Sequence, residues 1–218
     1  MAMRIRTGWS VLGLVAVMAV GLLVWQFGYF AAPFAWTGEP ARLAAALELG
    51  DAMQVADVGA GSGDLAVAMA SIVGPGGVVY ATELSDERRA AIGRRISSTG
   101  VTNVRVVAAQ AYATGLAPGS CEAVYLRTVF HHLADRPRFA AELARAVRPG
   151  GRIAIIDFAP GRLWFHGADH GVSPADVEAA FAAVGWQVRQ RDDRWGGGLF
   201  LRVFEQRVEA ATPSDAAN

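Results

Sequence analysis

Between residues 39 and 208 short apolar runs alternate with amphipathic stretches, and glycine or proline separates them. Pro40 to Leu49 reads as a short amphipathic helix stopped by Gly50. Gln54–Val58 is an apolar run of strand length met at once by glycines, the pattern of a buried strand. Ser62–Val73 reads as a helix stopped by Gly74-Pro75-Gly76-Gly77. Strand Val78–Thr82 follows, then helix Asp86–Ser98 with Ser85 as its cap and Gly100 behind it. Val104–Ala108 and Ala123–Leu126 are further strands. Pro137–Val147 is a helix ended by Pro149-Gly150-Gly151, and Arg152–Asp157 is a fifth strand. Ser173-Pro174 caps a last helix that runs to Val184 and stops at Gly185. Trp186–Arg191 and Leu199–Glu205 are strands around Gly196-Gly197-Gly198. Strands separated by helices imply right-handed βαβ units, hence an α/β, Rossmann-like, mostly parallel sheet of seven strands with helices on both faces. The last two strands have no helix between them and are expected to pair as a C-terminal antiparallel hairpin. One domain therefore covers 39–208, and the polar tail 209–218 is expected to be disordered.

The first 38 residues follow a different pattern. Thr7 to Gly38, 32 residues, carry no charge, and Val11 to Trp25 contains only Val, Leu, Gly, Ala, Met and Trp. A helix needs about 20 apolar residues to cross the hydrocarbon core of a bilayer. Trp9, Trp25, Tyr29 and Trp36 lie at or beyond the ends of the run, where aromatic rings favour the lipid–water interface. The expectation is one transmembrane helix over about 9–30, a single-pass anchor in a bacterial inner membrane, with a linker up to 38. A cleaved signal peptide shares the basic start and apolar middle. Ala31, Ala32 and Ala35 are small enough for a cleavage site, whereas Pro33, Phe34 and Trp36 suit one poorly. Arg4 and Arg6 favour a cytoplasmic N-terminus, which would put the domain outside, while Arg42 lies on the other flank. The side stays open.

Composition narrows the classes. Of 218 residues 53% are hydrophobic and 18% charged, which excludes disorder for most of the chain. Twenty basic and twenty acidic residues cancel, so no overall field holds a nucleic acid. Every basic residue is Arg, which excludes a Schiff-base Lys. A single cysteine, Cys121, allows neither an intrachain disulfide nor a cysteine-built zinc site.

The chemistry is concentrated after the first strand, in Val55-Ala56-Asp57-Val58-Gly59-Ala60-Gly61-Ser62-Gly63-Asp64. Glycines let a backbone turn sharply and approach a ligand, and a helix N-terminus offers free N–H groups. The dinucleotide fingerprint would need glycine at position 64, where Asp64 would oppose a pyrophosphate. Glu83 ends the second strand, where a carboxylate can accept hydrogen bonds from both hydroxyls of a ribose. A tight turn without ligand and an exposed strand-end carboxylate are the bland alternatives.

VADVGAGSGD, VVYATELSDE, SCEAVYLRTVFHHLADRP and RAVRPGGRIAIIDF, in that order, resemble the class I S-adenosylmethionine-dependent methyltransferases, nearest the group containing quinone-biosynthesis C-methyltransferases. The resemblance covers about 41–205 and implies a seven-stranded sheet whose last strand is antiparallel. It implies that Asp57, Gly59, Ala60, Gly61, Ser62 and Gly63 hold the methionine part of S-adenosyl-L-methionine. Glu83 corresponds to the ribose-binding acid and Leu84 to the residue beside the adenine. Gln110-Ala111 stands where the family usually has an Asp facing the adenine amino group, and the Gln110 amide oxygen can accept that bond. Glu122 also stands where Asp is commoner. Arg127 and Thr128 are expected to border cofactor and substrate.

Methyl transfer aligns a nucleophile behind the methyl group, excludes water and, for a weakly acidic acceptor, needs a base. All four histidines lie between 131 and 170. His131 and Asp157, after the fourth and fifth strands, and His170 are the catalytic candidates; His132 is the neighbour that packs. His166, Asp169 and His170 carry imidazole and carboxylate ligands, but Gly167 and Gly171 argue against the helix that would align them, and no metal is expected. The stretch around Leu163, Trp164 and Phe165 reads as a gating loop, an apolar lining or a membrane contact. The three cysteines of an arsenite-type thiol site are absent. The expected function is methylation of a small, lipophilic acceptor near a membrane. A noncatalytic cofactor-binding module and a nicotinamide-dependent oxidoreductase, which Asp64 disfavours, are the competing readings.

Overall fold

The computed structural model describes residues 38–161 and 170–207. The chain divides into two units, 1–39 and 40–218. The expected membrane helix at 9–30, most of its linker, the loop residues His166 and Asp169, and the tail 209–218 lie outside the described residues. Among the described residues no helix is long and apolar enough to cross a membrane.

Helix α1 (Glu39–Leu47) buries Leu43, Ala44 and Leu47, the one-face spacing that made it legible as amphipathic. It ends before Gly50, because Glu48 takes the left-handed conformation and Leu49 N–H closes onto the Ala44 carbonyl at 2.9 Å. The expected order then appears: β1 (Gln54–Val58), α2 (Asp64–Ile72), β2 (Val78–Glu83), α3 (Asp86–Thr99), β3 (Val104–Ala108) and β4 (Cys121–Arg127). Next come a 3₁₀ turn at Phe130–His132, α4 (Arg136–Ala146), β5 (Val147–Phe158), α5 (Pro174–Ala182), β6 (Trp186–Gly196) and β7 (Leu199–Gln206). The Ser85 and Ser173 hydroxyls accept from the Arg88 and Asp176 amides, as capping residues do.

Among the boundaries that differ from the pattern, two more have a clear backbone cause. Helix α2 begins at Asp64 rather than Ser62, because Gly61 and Gly63 are left-handed and keep the loop out of the helix. The Pro149-Gly150-Gly151 turn does not precede the fifth strand but lies inside it. Cys121 pairs with Val147 and Ala123 with Arg152, so the intervening residues loop out of the ladder as a bulge. Gly151 is needed there: a Cβ would lie 2.5 Å from the Glu122 carbonyl.

The sheet order is β3-β2-β1-β4-β5-β7-β6. Strands β1 to β5 are parallel, and β7 runs antiparallel between β5 and β6. Ala56, Val58, Val124, Leu126, Ile153 and Ile155 pack on one side with Phe139 and Leu143 of α4 and Phe181 of α5. The alternate residues Val55, Ala81, Ala154 and Ile156 are buried too, so both faces are covered. The order reverses between β1 and β4. Ligands of such sheets bind beyond the carboxyl ends of the strands at that point.

Candidate cofactor and substrate site

At the reversal, β1 delivers Asp57 and then the glycine loop. Gly59, Gly61 and Gly63 all have positive φ, which explains their spacing. The Gly59 and Ala60 amides both donate to the Thr82 carbonyl of β2 at 3.0 Å. The Gly59 position tolerates no side chain, since a Cβ would lie 2.6 Å from Val129 Cγ2. A Cβ on Gly61 would meet nothing within 4 Å, so this part of the loop faces open space. Ser62 donates to Asp64, and Asp64 pairs with Arg95 of α3 at 2.6 Å, so the carboxylate at the place of the third fingerprint glycine is built into the loop.

Glu83 is not an exposed strand-end acid. It is 6% exposed, accepts from Leu84 N–H at 2.8 Å and Gly61 N–H at 3.1 Å, and lies 3.8 Å from Arg88. Arg89 spans the same turn, donating to the Glu83 and Leu84 carbonyls at 2.9 and 2.7 Å. Leu84 is 59% exposed beside it. Gln110 and Ala111 are exposed after β3, where Gln110 and Ala113 exchange backbone hydrogen bonds at 2.7 and 3.2 Å.

Asp57 is buried, and its Oδ2 has no hydrogen-bond partner. Burial pushes its carboxyl up to about 7, with the Tyr125 phenol and Arg127 acting the other way and Glu83 adding to the rise. Asp57, Tyr125, Arg127 and Glu83 occupy the same side of the sheet, by the pairing of Asp57 with Tyr125 and with Ala81 and by strand alternation. Glu122 lies at the other end of β4. It accepts from Gln54 N–H at the start of β1 and pairs with Arg148 in the β5 bulge, so it is a strut far from the loop.

The second cluster stands at the carboxyl ends of β4 and β5. His131 Nδ1 is 2.8 Å from Asp157 Oδ1, and His131 N–H donates to Asp157 Oδ2 at 3.0 Å. Phe158 N–H donates to Oδ1 at 2.9 Å. Asp157 is wholly buried behind the imidazole. The His131 ring centre lies 3.9 Å from that of His132, 4.8 Å from His170 and 4.6 Å from Phe158. Partial burial, then His131 and His170, hold His132 below the usual imidazole range. Among the described residues no three His, Cys, Asp or Glu are grouped to hold a metal. Thr128, between the two clusters, has φ 53°, an uncommon conformation for a β-branched residue.

Glu122 apart, the sequence reading thus placed its described residues in two groups at one end of the sheet. It missed Val129, which closes on Gly59, and Tyr125, a phenol within an apolar strand opposite Asp57. The polar residue in an otherwise buried run was the available signal for Tyr125. Val129 had none, because its contact depends on the approach of two loops.

The residues fit an adenosylated amino-acid cofactor: a buried carboxylate oxygen lacks a partner, a glycine backbone opens onto space, and an acid and an exposed Leu flank the next strand. Residues 56–155 match the family model described as a methyltransferase domain. The chain is 31% identical over 107 residues to a demethylmenaquinone methyltransferase from Thermus thermophilus, covering 49% of this chain and 48% of that protein. It is 25% identical over 155 residues to the ubiquinone/menaquinone biosynthesis C-methyltransferase UbiE of Bordetella avium, covering 65% and 59%. The chain spans about half the length of the curated relatives it matches. A crystal structure of a SAM-dependent methyltransferase from Aquifex aeolicus superposes with a TM-score of 0.71 at 22% identity, over 82% of this chain and 96% of that one, and shows the shared fold. Sheet order, glycine loop and the match to a methyltransferase-domain model make this domain similar to the class I S-adenosylmethionine-dependent methyltransferases.

Proposed function

We propose that the chain transfers a methyl group from S-adenosyl-L-methionine to a small, lipophilic, quinone-type acceptor, and that its apolar N-terminal segment keeps the domain at a membrane. The observation that carries this reading is the partnerless Asp57 oxygen beneath an open glycine loop whose next strand ends in the buried Glu83. The cofactor supplies an electrophilic methyl group on a sulfonium. Asp57 and the backbone of Gly59, Ala60, Gly61, Ser62 and Gly63 hold its amino-acid end, Glu83 its ribose, and Leu84, Gln110 and Ala111 its adenine. Arg127 borders the methyl-donating end.

His131 is the candidate base for the acceptor. A carboxylate only accepts hydrogen bonds, so Asp157 fixes the Nδ1–H tautomer and leaves the Nε2 lone pair to take the acceptor's proton. Asp157 has no exposed surface and acts as a positioning residue. His170 and Phe158 pack around the imidazole and exclude water from it. The names of the relatives support a quinone-type acceptor.

The test is thermal unfolding of the full chain in detergent with S-adenosylmethionine, S-adenosylhomocysteine or NAD, followed by transfer of labelled methyl to a demethylated quinone supplied in its reduced, hydroquinone form. Ligand at about 100 times its Kd adds about 2.7 kcal/mol, a midpoint rise on the order of 5–10 °C. A rise with both sulfur ligands and label in the quinone is the expected result. A folded chain that ignores both ligands overturns the reading, and a rise with NAD alone makes the loop a dinucleotide site.

A further inference from the structure

Asp57 and Tyr125 are register partners on adjacent parallel strands, so their side chains emerge on the same side of the sheet. Both are buried, and the Asp57 Oδ2 and Tyr125 hydroxyl find no hydrogen-bond partner outside this pair. An ionised carboxylate left this way is costly, and a proton or a nearby cation removes the cost. The charged and titratable groups facing it are Tyr125 and Arg127 on β4 and Glu83 on β2. Helix α2 contributes Asp64, which is held by Arg95. Glu83 is tied to the loop amides and opposes ionisation of Asp57, while Arg127 favours it. The balance leaves the carboxyl protonated up to about pH 7 in the free chain, and burial and Asp57 push the Tyr125 phenol well above its usual range. A ligand that brings a positive charge to the glycine loop reverses that balance.

We propose that Asp57 and Tyr125 make cofactor binding proton-linked: the free chain holds a proton on the buried Asp57 carboxyl beside the Tyr125 phenol, and a ligand that brings the ammonium group of an amino-acid end to the glycine loop expels it. The inference rests on the reading that the loop takes an S-adenosyl cofactor. Asp57 carries the proton. Tyr125 is a positioning residue whose phenol biases the carboxylate toward ionisation.

Two measurements on the full chain in detergent test it. Carbon-detected NMR of ¹³C-carboxyl aspartate, without ligand, follows Asp57, assigned by its loss in Asp57→Asn. Calorimetry of S-adenosylhomocysteine in buffers of different ionisation enthalpy counts protons. Asp57 is expected to titrate near neutrality. At about pH 6.5 binding releases between half and one proton, falling toward none at about pH 8.5, and affinity is about tenfold weaker at pH 6 than at pH 8. Asp57→Asn removes the buffer dependence, and Tyr125→Phe moves the Asp57 titration to higher pH. 5′-Methylthioadenosine, which lacks the amino-acid end and its ammonium group, binds without proton release. Titration of Asp57 in the ordinary carboxylate range, or buffer-independent binding of S-adenosylhomocysteine at pH 6.5, overturns the inference and leaves the proposed function standing. An unmoved titration in Tyr125→Phe removes Tyr125 from it. A chain whose Asp57 titrates near neutrality but which binds no sulfur ligand at any pH overturns both.

Discussion

Burying Asp57 costs the free chain stability whenever the carboxyl is ionised. Its folded value is raised from 3.8 to about 7, so the folded state binds more protons between those limits and stability falls as pH rises through them. The loss is complete above about pH 7 and amounts to roughly 4 kcal/mol. Asp57→Asn removes it, so the free variant is expected to gain thermal stability over the parent at about pH 8, with the gain shrinking toward about pH 5. The same variant is expected to bind S-adenosylhomocysteine more weakly at pH 8, a trade of stability for function that thermal melts and calorimetry read together. His131 gives the complementary case. His131→Ala is expected to lower kcat by about 10²–10⁴-fold while leaving S-adenosylhomocysteine affinity unchanged. Asp157→Asn is expected to lower kcat with little change in KM, because it frees the imidazole tautomer, and His132→Ala to cost little by comparison. At this scale residue types were legible and environments were not. Glu83 read as a carboxylate at a strand end, and only the fold shows that loop amides hold it. Glu122 sat in a motif but lies at the far end of its strand, because a motif records order and not which end of a strand faces the cleft.

The loop and the strands beside it are one steric unit at the scale of elements. Gly59 combines a φ of +76° with a Val129 methyl 2.6 Å from where a Cβ would stand. Gly59→Ala therefore meets two separable penalties, a left-handed backbone worth about 1–2 kcal/mol and a clash worth about 1–3 kcal/mol. Adding Val129→Ala is expected to recover the clash and not the backbone part. The double variant should melt between Gly59→Ala and the parent, and its affinity for S-adenosylhomocysteine should follow the same order. Full recovery would mean that the positive φ is not required. Element order, type and most boundaries were legible because period, caps and glycine stops agree with one another. Gln54–Val58 and Val104–Ala108 appear as read. The misplacements share a cause: backbone conformations that compete with local pattern. Left-handed Glu48 ends α1 before its glycine, left-handed Gly63 delays α2, and β5 absorbs Pro149-Gly150-Gly151 because the ladder with β4 resumes beyond it. Long-range pairing decided that last case, and no window of sequence contains it.

For the whole molecule, the domain and the first 38 residues pose separate problems. With twenty charges of each sign and no Lys, the chain lacks the basic excess that draws peripheral proteins to anionic headgroups. An attachment to membrane therefore has to come from the uncharged stretch Thr7 to Gly38. At about 1.5 Å per residue, 32 helical residues would extend well beyond a hydrocarbon core of about 30 Å. The full chain is accordingly expected to float with phospholipid vesicles in high salt, which screens headgroup attraction and leaves apolar insertion intact. Val17 and Val20 lie in the apolar run, and an Asp at a helix centre costs roughly 3 kcal/mol. Val17→Asp with Val20→Asp should leave the chain in the soluble fraction while preserving its affinity for S-adenosylhomocysteine, since the substitutions lie outside the catalytic unit. If the segment serves to meet an acceptor dissolved in the bilayer, the double variant raises KM for a long-tailed quinone in vesicles and leaves a short-tailed, water-soluble one unchanged. Intact mass of the membrane-extracted protein separates anchor from signal peptide: the anchor keeps residues 1–38, and cleavage removes them. A parent chain that stays in solution at high salt overturns the anchoring. The glycine-loop reading is then untouched, because its argument uses only residues of the sheet.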